Sequence, residues 1–192
     1  MQKYGSKEIL TKSNMISFFR LLLAIPLWPL LGRLDVPGNR LIIISICIIA
    51  AISDSLDGYL ARKYNEITEL GKIIDPLADK ILVAAIIIKL YISGEIPGYF
   101  FFMVIGRDAL IFLGGMVVAK ILGRVLPSNV LGKMTVSSIG VLILLIIGGL
   151  DRSNLIFISI YYLTIILIVV SFLGYLIRAI EFVRQKDHGT VQ

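Results

Sequence analysis

The sequence predicts an all-α, polytopic membrane protein, and two properties of the chain lead to this fold class. Its 192 residues are 57% hydrophobic and 17% charged, whereas a soluble domain averages about 45–50% apolar and about 25% charged residues. The apolar residues also fall in runs of about 20, the length that an α-helix needs to cross the hydrocarbon core of a bilayer. A soluble core is therefore excluded.

Six apolar runs predict six transmembrane helices, separated by short connections rich in Gly, Pro, Asn and Asp. The runs span residues 15–33, 40–62, 72–92, 98–121, 131–150 and 154–178. The N-terminal segment, residues 1–14, is compatible with a short interfacial helix or with a solvated tail, and residues 179–192 form a polar tail. No separate soluble domain is evident, so we expect a single membrane domain over residues 1–192.

The distribution of Lys and Arg predicts how the chain is oriented. The formal net charge is +6, and in a membrane protein such an excess reflects loops retained on the cytoplasmic side rather than nucleic-acid binding. Alternate connections collect most of the basic residues on one side: Lys3, Lys7, Lys12, Arg62, Lys63, Lys72, Lys120, Arg124, Lys133, Arg178, Arg184 and Lys186. The other side has only Arg33, Arg40, Lys89 and Arg152. Both termini are therefore predicted to be cytoplasmic, with the chain in the cell inner (plasma) membrane.

Four aspartates lie in otherwise apolar sequence at one end of the second and third predicted helices. They are Asp54, Asp57, Asp75 and Asp79. Ionisable groups at membrane depth are costly and mark functional sites by default, although a lone Asp near a helix end is more often a cap or half of an ion pair. The spacings of three and four place each pair on one helical face. Four carboxylates brought together need a cation, and oxygen ligands favour Mg²⁺, Mn²⁺ or Ca²⁺ over zinc.

Small residues and one arginine accompany these carboxylates. Gly58 and Ala61 follow Asp57 on the same helix end, and Gly71 opens the next helix, so the backbone permits close approach of a bulky ligand. Arg62 adds a forked cation. A metal and an arginine beside small residues indicate a phosphate or diphosphate site.

The segment Asp54-x-x-Asp57-Gly58-x-x-Ala61-Arg62, an eight-residue spacer and Gly71-x-x-x-Asp75-x-x-x-Asp79 resembles the signature of the CDP-alcohol phosphatidyltransferases. The resemblance implies a homodimeric membrane enzyme with two Mg²⁺ or Mn²⁺ ions that transfers a phosphatidyl group from CDP-diacylglycerol and releases CMP. The four aspartates would then be metal ligands, with Asp79 also the catalytic base.

By the same resemblance, the pocket for the CDP group combines the signature with the start of the first predicted helix. Residues 14–20, Asn-Met-Ile-Ser-Phe-Phe-Arg, are similar to the Asn-x-x-Thr-x-x-Arg stretch of the glycerophosphate and cardiolipin members of the family, with Ser17 in place of Thr. The implied CDP-binding residues are Asn14, Ser17, Asp54, Asp57, Gly58, Ala61, Arg62 and Gly71.

Further cations point to an acceptor that carries a phosphate. Arg107 lies inside the fourth predicted helix and Lys133 opens the fifth, and both look like elements of the same two subgroups. We expect Arg107 and Lys133, with Arg124, to bind the acceptor phosphate. An ion pair between Arg107 and Asp108 is an equally favoured explanation of the buried arginine.

The implied acceptor is glycerol 3-phosphate, which gives phosphatidylglycerophosphate. A cardiolipin synthase with phosphatidylglycerol as acceptor is the nearest alternative, and inositol phosphate is a weaker third. A cation transporter is the alternative from another class, but its acids should follow a pathway across the membrane. Here they crowd one helix junction beside Arg62, which favours the enzyme.

Overall fold

The computed structural model describes residues 12–63, 71–122 and 130–187, with side chains at 15–53, 56, 78, 80–116, 130–178, 180 and 181. The described residues form six helices, which coincide with the six predicted segments and confirm the all-α class. They are α1 (Lys12–Leu31), α2 (Asn39–Lys63), α3 (Gly71–Ile92), α4 (Gly98–Leu122), α5 (Val130–Gly148) and α6 (Leu155–Asp187). Residues 1–11 of the predicted interfacial segment lie outside the described part of the chain.

The largest difference from the predicted boundaries is at the end of α6. This helix has 33 residues and continues past Arg178 to Asp187, into the segment predicted as a polar tail. At 1.5 Å per residue it is about 50 Å long, whereas the hydrocarbon core is about 30 Å thick. Hydropathy marks where the apolar run ends, but Arg, Glu and Lys are good helix formers, so the helix continues beyond it.

Three described helices are long and apolar enough to cross a membrane. The spans are Gly98–Met116 in α4, Val130–Gly148 in α5 and Leu155–Arg178 in α6, and they identify the chain as a membrane protein. Helices α1 and α2 contain the shorter apolar stretches Met15–Leu31 and Asn39–Ser53. Six helices are thus confirmed, whereas six membrane spans are not: among the described residues, three helices have the length and composition of a span.

The chain divides into two compact units, of which the first ends at Ile96 and the second begins at Pro97. In the first unit, α1 packs against both α2 and α3. Its core is aliphatic, with Leu27, Ile43, Ile87 and Leu90 at most 1% exposed. Helix α1 forms despite containing Pro26 and Pro29. Transmembrane helices tolerate proline because neighbouring helices and side chains satisfy the backbone groups that it frees.

In the second unit, α6 packs against both α4 and α5. Hydroxyl groups join α5 to α6: the single proton of Thr135 Oγ1 is shared between the carbonyls of Leu131 at 2.7 Å and Leu167 at 3.1 Å, and the hydroxyls of Ser138 and Thr164 lie 2.6 Å apart. As the residue number rises on α5 it falls on α6, so the two helices are antiparallel. Hydroxyl pairs of this kind satisfy polar groups where no water is available.

Helices α4 and α6 run parallel, and contacts fix them at both ends. The hydroxyls of Tyr99 and Tyr161 lie 2.5 Å apart at the starts of the two helices, and Phe100 stacks on Tyr161 with ring centroids 5.4 Å apart. Towards the other end, a Cβ added to Gly115 would lie 2.8 Å from Tyr175 Oη. A small residue at this position therefore lets the two helices approach closely.

Helices α3 and α5 end in the same way. After α5, the N–H of Leu150 donates to the carbonyl of Leu145 and the N–H of Gly149 to that of Ile146, with Gly149 at φ 76°. After α3, the corresponding residue is Gly94 at φ 74°. This pair of hydrogen bonds is the Schellman motif, whose left-handed residue is usually glycine. Both short connections are therefore fixed by local backbone geometry.

The connection into α6 is ordered by two side chains. Asn154 Oδ1 accepts the N–H of Ile156 at 2.9 Å and so caps the helix. Asp151 Oδ1 accepts the N–H of Ser153, also at 2.9 Å. This backbone hydrogen bond lowers the pKa of Asp151 below its ordinary value. Because the folded pKa is depressed, the contribution of Asp151 to stability is lost as the pH falls through that value.

We expect the Gly115→Ala substitution to destabilise the second unit by about 1 kcal/mol, since the new methyl group forces Tyr175 to move. The measurement is the midpoint of thermal denaturation of the protein in detergent. Gly106→Ala is the matched control on the same helix, because a Cβ there meets nothing within 4 Å. Adding Tyr175→Phe to Gly115→Ala should restore the midpoint, since the next ring atom is 3.9 Å away. Equal shifts for Gly115→Ala and Gly106→Ala would contradict this account.

Candidate active site

The structure places the signature residues at two helix ends, as the sequence predicts. The C-terminal turns of α2 carry Asp54, Asp57, Gly58, Ala61 and Arg62, and the N-terminal turns of α3 carry Gly71, Asp75 and Asp79. Because both segments are helical, the spacings of three and four residues put Asp54 with Asp57, and Asp75 with Asp79, on common faces. The side chains of these eight residues, and that of Asn14, lie outside the described ones.

Helix α1 completes this end of the first unit. Its contacts with α3 include Lys89 Nζ, which lies 5.4 Å from the centroid of the Trp28 ring. Residues Ala24 and Leu27 of α1 also line one small cavity with Leu82 and Ala85 of α3. Residue numbers rise together on the two helices, so α1 and α3 run parallel. Carried back along both helices, this register places Ser17 and Arg20 about level with residues 74–81, the segment that contains Asp75 and Asp79.

Ser17 and Arg20 are buried on the face of α1 that packs inward. Ser17 is 0% exposed and Arg20 is 1% exposed, whereas Phe18 and Phe19 between them face outward. On α3, Ala78 is also 0% exposed. A buried arginine is tolerated only with electrostatic or hydrogen-bonding partners, and Arg20 makes such an interaction. A hydroxyl and a guanidinium thus lie at the level of the acidic signature of α3.

Arg20 is not among the site residues predicted from the sequence, although its position in an apolar run indicates a functional role. Arg20 closes the Asn-x-x-Ser-x-x-Arg stretch and lies in the first turns of an apolar run, where an ionisable group marks a functional site by default. The burial of Arg20 makes it a candidate site residue beside Ser17.

A second polar cluster lies in the other unit, around Arg107 of α4. The side chain of Arg107 is 8% exposed, and its Nη1 donates to Asp108 Oδ1 at 2.5 Å. Nε and Nη2 both lie 3.3 Å from Ser171 Oγ of α6 and donate to it. A Cβ added to Gly132 of α5 would lie 3.4 Å from Nη2. Three helices therefore surround one guanidinium group, and the ion pair with Asp108 is present.

The other two predicted ligands of the acceptor phosphate are Lys133 and Arg124. Lys133 is exposed and lines an open groove between α5 and α6, with a volume of about 440 Å³, together with Met134, Ser137, Val141 and Leu163. On α5, Gly132 is thus the residue beside Arg107, while Lys133 is at the groove. Arg124 falls outside the described residues.

The described side chains include no cluster of three His, Cys, Asp or Glu suited to a metal ion, and the four signature aspartates are not among them. The donor set of those aspartates fits a divalent cation on chemical grounds. Carboxylate oxygens are the ligands that Mg²⁺ and Mn²⁺ prefer. Two helix ends with two aspartates each supply enough of them to share one or two ions.

Comparison with known proteins identifies the class. Residues 10–177 match the CDP-alcohol phosphatidyltransferase family profile, and the chain belongs to this family. Two relatives are the CDP-diacylglycerol–glycerol-3-phosphate 3-phosphatidyltransferases of Aquifex aeolicus and Bacillus subtilis. The Aquifex protein is 32% identical over 177 residues, covering 88% of this chain and 96% of that protein. The Bacillus protein is 34% identical over 135 residues, covering 67% of this chain and 68% of that protein.

A relative named for a different product is also similar. The CMP-forming cardiolipin synthase of Homo sapiens is 36% identical over 102 residues. The match covers 53% of this chain and 33% of that protein. It is therefore more limited in extent than the match to the Aquifex protein.

We expect the Arg20→Gln substitution to lower transferase activity by about tenfold or more, because it removes a buried positive charge at the level of the acidic signature. The measurement is the rate of CMP release from a CDP-alcohol donor. Arg33→Gln is the matched control, since Arg33 is exposed and follows the other end of α1. Activity near that of the parent in Arg20→Gln would limit Arg20 to packing.

Proposed function

We propose that the protein transfers the phosphatidyl group of CDP-diacylglycerol to glycerol 3-phosphate, giving phosphatidylglycerophosphate and CMP. The observation that carries this proposal is the family match over residues 10–177, with the complete acidic signature on the C-terminal turns of α2 and the N-terminal turns of α3. A relative named for this reaction, the Aquifex protein, aligns over 96% of its own length. The reaction belongs to phospholipid biosynthesis.

The donor site is formed by the signature and the start of α1. Asp54, Asp57, Asp75 and Asp79 hold two Mg²⁺ or Mn²⁺ ions, which when bound neutralise charge on the diphosphate of the donor. Arg62 binds a phosphate oxygen with its planar fork. The CDP group is bound by Gly58, Ala61 and Gly71, where small residues let the backbone approach, and by Asn14 and Ser17.

Asp79 is the general base in this scheme. It takes the proton from the acceptor hydroxyl as that oxygen attacks the phosphorus that bears the diacylglycerol group. One P–O bond forms to the acceptor, and the P–O bond to CMP breaks, so that CMP leaves with the electron pair. The neighbouring carboxylates favour a site that holds cations.

Glycerol 3-phosphate enters with a charged phosphate, which has to be matched by cations in a site of low dielectric constant. We assign this task to Arg107; Lys133, which lines the groove between α5 and α6, and Arg124 are the other cations that the sequence offers for it. The burial of Arg107 to 8% exposure supports the assignment, because a desolvated guanidinium binds a phosphate more strongly than an exposed one. The ion pair with Asp108 moderates its charge.

The remaining parts of the proposal concern the molecule in the cell. All six helices cross the inner (plasma) membrane, residues 1–192 form a single membrane domain, and both termini and the active site are cytoplasmic. This orientation follows from the distribution of Lys and Arg and suits CMP, a soluble leaving group. The functional molecule is a homodimer, in keeping with the resemblance to the family.

Cardiolipin synthesis, with phosphatidylglycerol as acceptor, is the second candidate because of the similarity to the cardiolipin synthase of Homo sapiens. The acceptor in that reaction is a lipid without a terminal phosphate. The two candidates share the donor, the carboxylates and the release of CMP, and they differ in the group that must reach Asp79.

The acceptor is tested by measuring CMP release from CDP-diacylglycerol with the detergent-purified protein and Mg²⁺ or Mn²⁺. We expect turnover with glycerol 3-phosphate and at most slight turnover with phosphatidylglycerol or inositol phosphate. Removal of the divalent cation with a chelator is the control, and it should stop the reaction. Turnover with phosphatidylglycerol alone would establish the second candidate instead, and absence of CMP with every acceptor would refute the transferase proposal.

The Asp79→Asn substitution should lower turnover by at least about 10²-fold, the usual contribution of a general base. Binding of CDP-diacylglycerol and the thermal midpoint should change little, because the amide has the size of the carboxylate. Asp151→Asn is the matched control, since Asp151 lies in the connection between α5 and α6. Turnover near the parent value in Asp79→Asn would remove Asp79 from the role of base.

A further inference from the structure

The contacts of Arg107 use only part of its hydrogen-bonding capacity. A guanidinium group carries five N–H bonds in a fixed plane. Among the described residues, Nε and Nη2 each donate one to Ser171 Oγ at 3.3 Å, and Nη1 donates one to Asp108 Oδ1. Within the described part of the chain, one N–H on Nη1 and one on Nη2 are not used by these contacts.

The hydroxyl of Ser171 is held so that it accepts from Arg107. Ser171 is 2% exposed, and its Oγ donates its single proton to the carbonyl of Ile168 at 3.1 Å. With that proton engaged, the oxygen lone pairs face the Nε and Nη2 edge of Arg107. The α6 backbone therefore sets the direction of the hydroxyl, and the hydroxyl in turn sets the rotation of the guanidinium plane.

Gly132 determines the space beside the same guanidinium group. A Cβ at this position would lie 3.4 Å from Nη2, which is contact distance before the side chain has any further atoms. A larger residue would therefore cover Nη2 or turn the group. With glycine at this position, no side-chain atom of residue 132 lies against that edge of Arg107.

We propose that Ser171 and Gly132 are positioning residues for the acceptor phosphate: Ser171 orients Arg107, and Gly132 keeps its Nη2 edge accessible. This inference rests on the proposed function, in which Arg107 binds the phosphate of glycerol 3-phosphate. It adds the reason why Arg107, buried and paired with Asp108, still has two N–H bonds for a phosphomonoester. Of the two candidate acceptors, glycerol 3-phosphate has a terminal phosphate whose oxygens can accept from both donors, and phosphatidylglycerol has none, so the site would favour the former.

A purely structural role for Ser171 makes a different prediction. If the Arg107–Ser171 contact only joins α4 to α6, its loss would lower stability and change the kinetics with both substrates alike. If Ser171 orients Arg107 for the acceptor, its loss would raise the KM for glycerol 3-phosphate and leave the KM for CDP-diacylglycerol unchanged. The ratio of the two KM values therefore separates the roles.

The experiment compares Ser171→Ala, Ser171→Thr and Gly132→Ala in the CMP-release assay, with each substrate varied in turn. We expect Ser171→Ala and Gly132→Ala to raise the KM for glycerol 3-phosphate by about tenfold, as expected for loss of a well-directed hydrogen bond to a charged group. Ser171→Thr keeps the hydroxyl and should restore most of the affinity. Ser138→Ala is the matched control, because it removes another hydroxyl contact between helices, that with Thr164, and should alter neither KM.

The outcomes distinguish failure of the inference from failure of the proposed function. An unchanged KM for glycerol 3-phosphate in Ser171→Ala, together with a raised one in Arg107→Gln, would overturn the inference and leave the proposed function intact. Equal changes in both KM values, accompanied by a lower thermal midpoint, would also overturn it in favour of a structural role. Absence of turnover with glycerol 3-phosphate in the parent protein would instead refute the proposed function.

Discussion

The desolvation of charged and polar groups is the constraint on which the described structure depends. In surroundings without water, each such group must find a partner within the protein. Arg107 does so through Asp108 and Ser171, and Thr135 and Thr164 through carbonyl groups one turn earlier, 2.7 Å away in each case. Where these contacts join two helices, they also fix which faces meet. The apolar surfaces of the helices resemble one another, so the polar groups determine which helix faces pack together.

Each of the two units contains a buried arginine on a helix with an apolar exterior. Arg20 is 1% exposed on α1 and Arg107 is 8% exposed on α4. The exposed side chains around them, such as Phe19 and Phe112, are large and apolar, as expected of surfaces that face lipid rather than water. Positive charge is thus kept inside each unit, where partners within the protein balance it, as Asp108 does for Arg107.

Much of the fold and part of the candidate site follow from the sequence alone. Apolar runs and turn residues predict the six helices, and the motif spacing predicts that the signature lies at the ends of α2 and α3. The end of α6 was misjudged because hydropathy falls at Arg178 while helix propensity does not. Among the described side chains, α1 and α2 contribute the shorter apolar stretches Met15–Leu31 and Asn39–Ser53, so the number of membrane crossings does not follow from the helices alone.

The contacts that join distant segments of the chain do not follow from the sequence. Ser171 has no motif around it, and its pairing with Arg107 depends on the relative shift of two parallel helices, which periodicity does not encode. The same holds for Gly132, which faces Arg107 while its sequence neighbour Lys133 lines the groove between α5 and α6. Local sequence patterns indicate which residues share a helix face, but the packing of the helices decides which residues that face contacts.

The parallel pair α4 and α6 carries contacts near both of its ends, from Tyr99 and Tyr161 to Gly115 and Tyr175, with Arg107 and Ser171 between them. Because the three contacts lie along the same two helices, sliding one helix by a single turn would break all of them together. Insertions or deletions between Tyr161 and Ser171 would rotate the serine by about 100° per residue away from the arginine. Changes of length between α4 and α5, or between α5 and α6, leave this register intact. Over evolutionary time, gain and loss of residues in this half of the chain should therefore be confined to its connections.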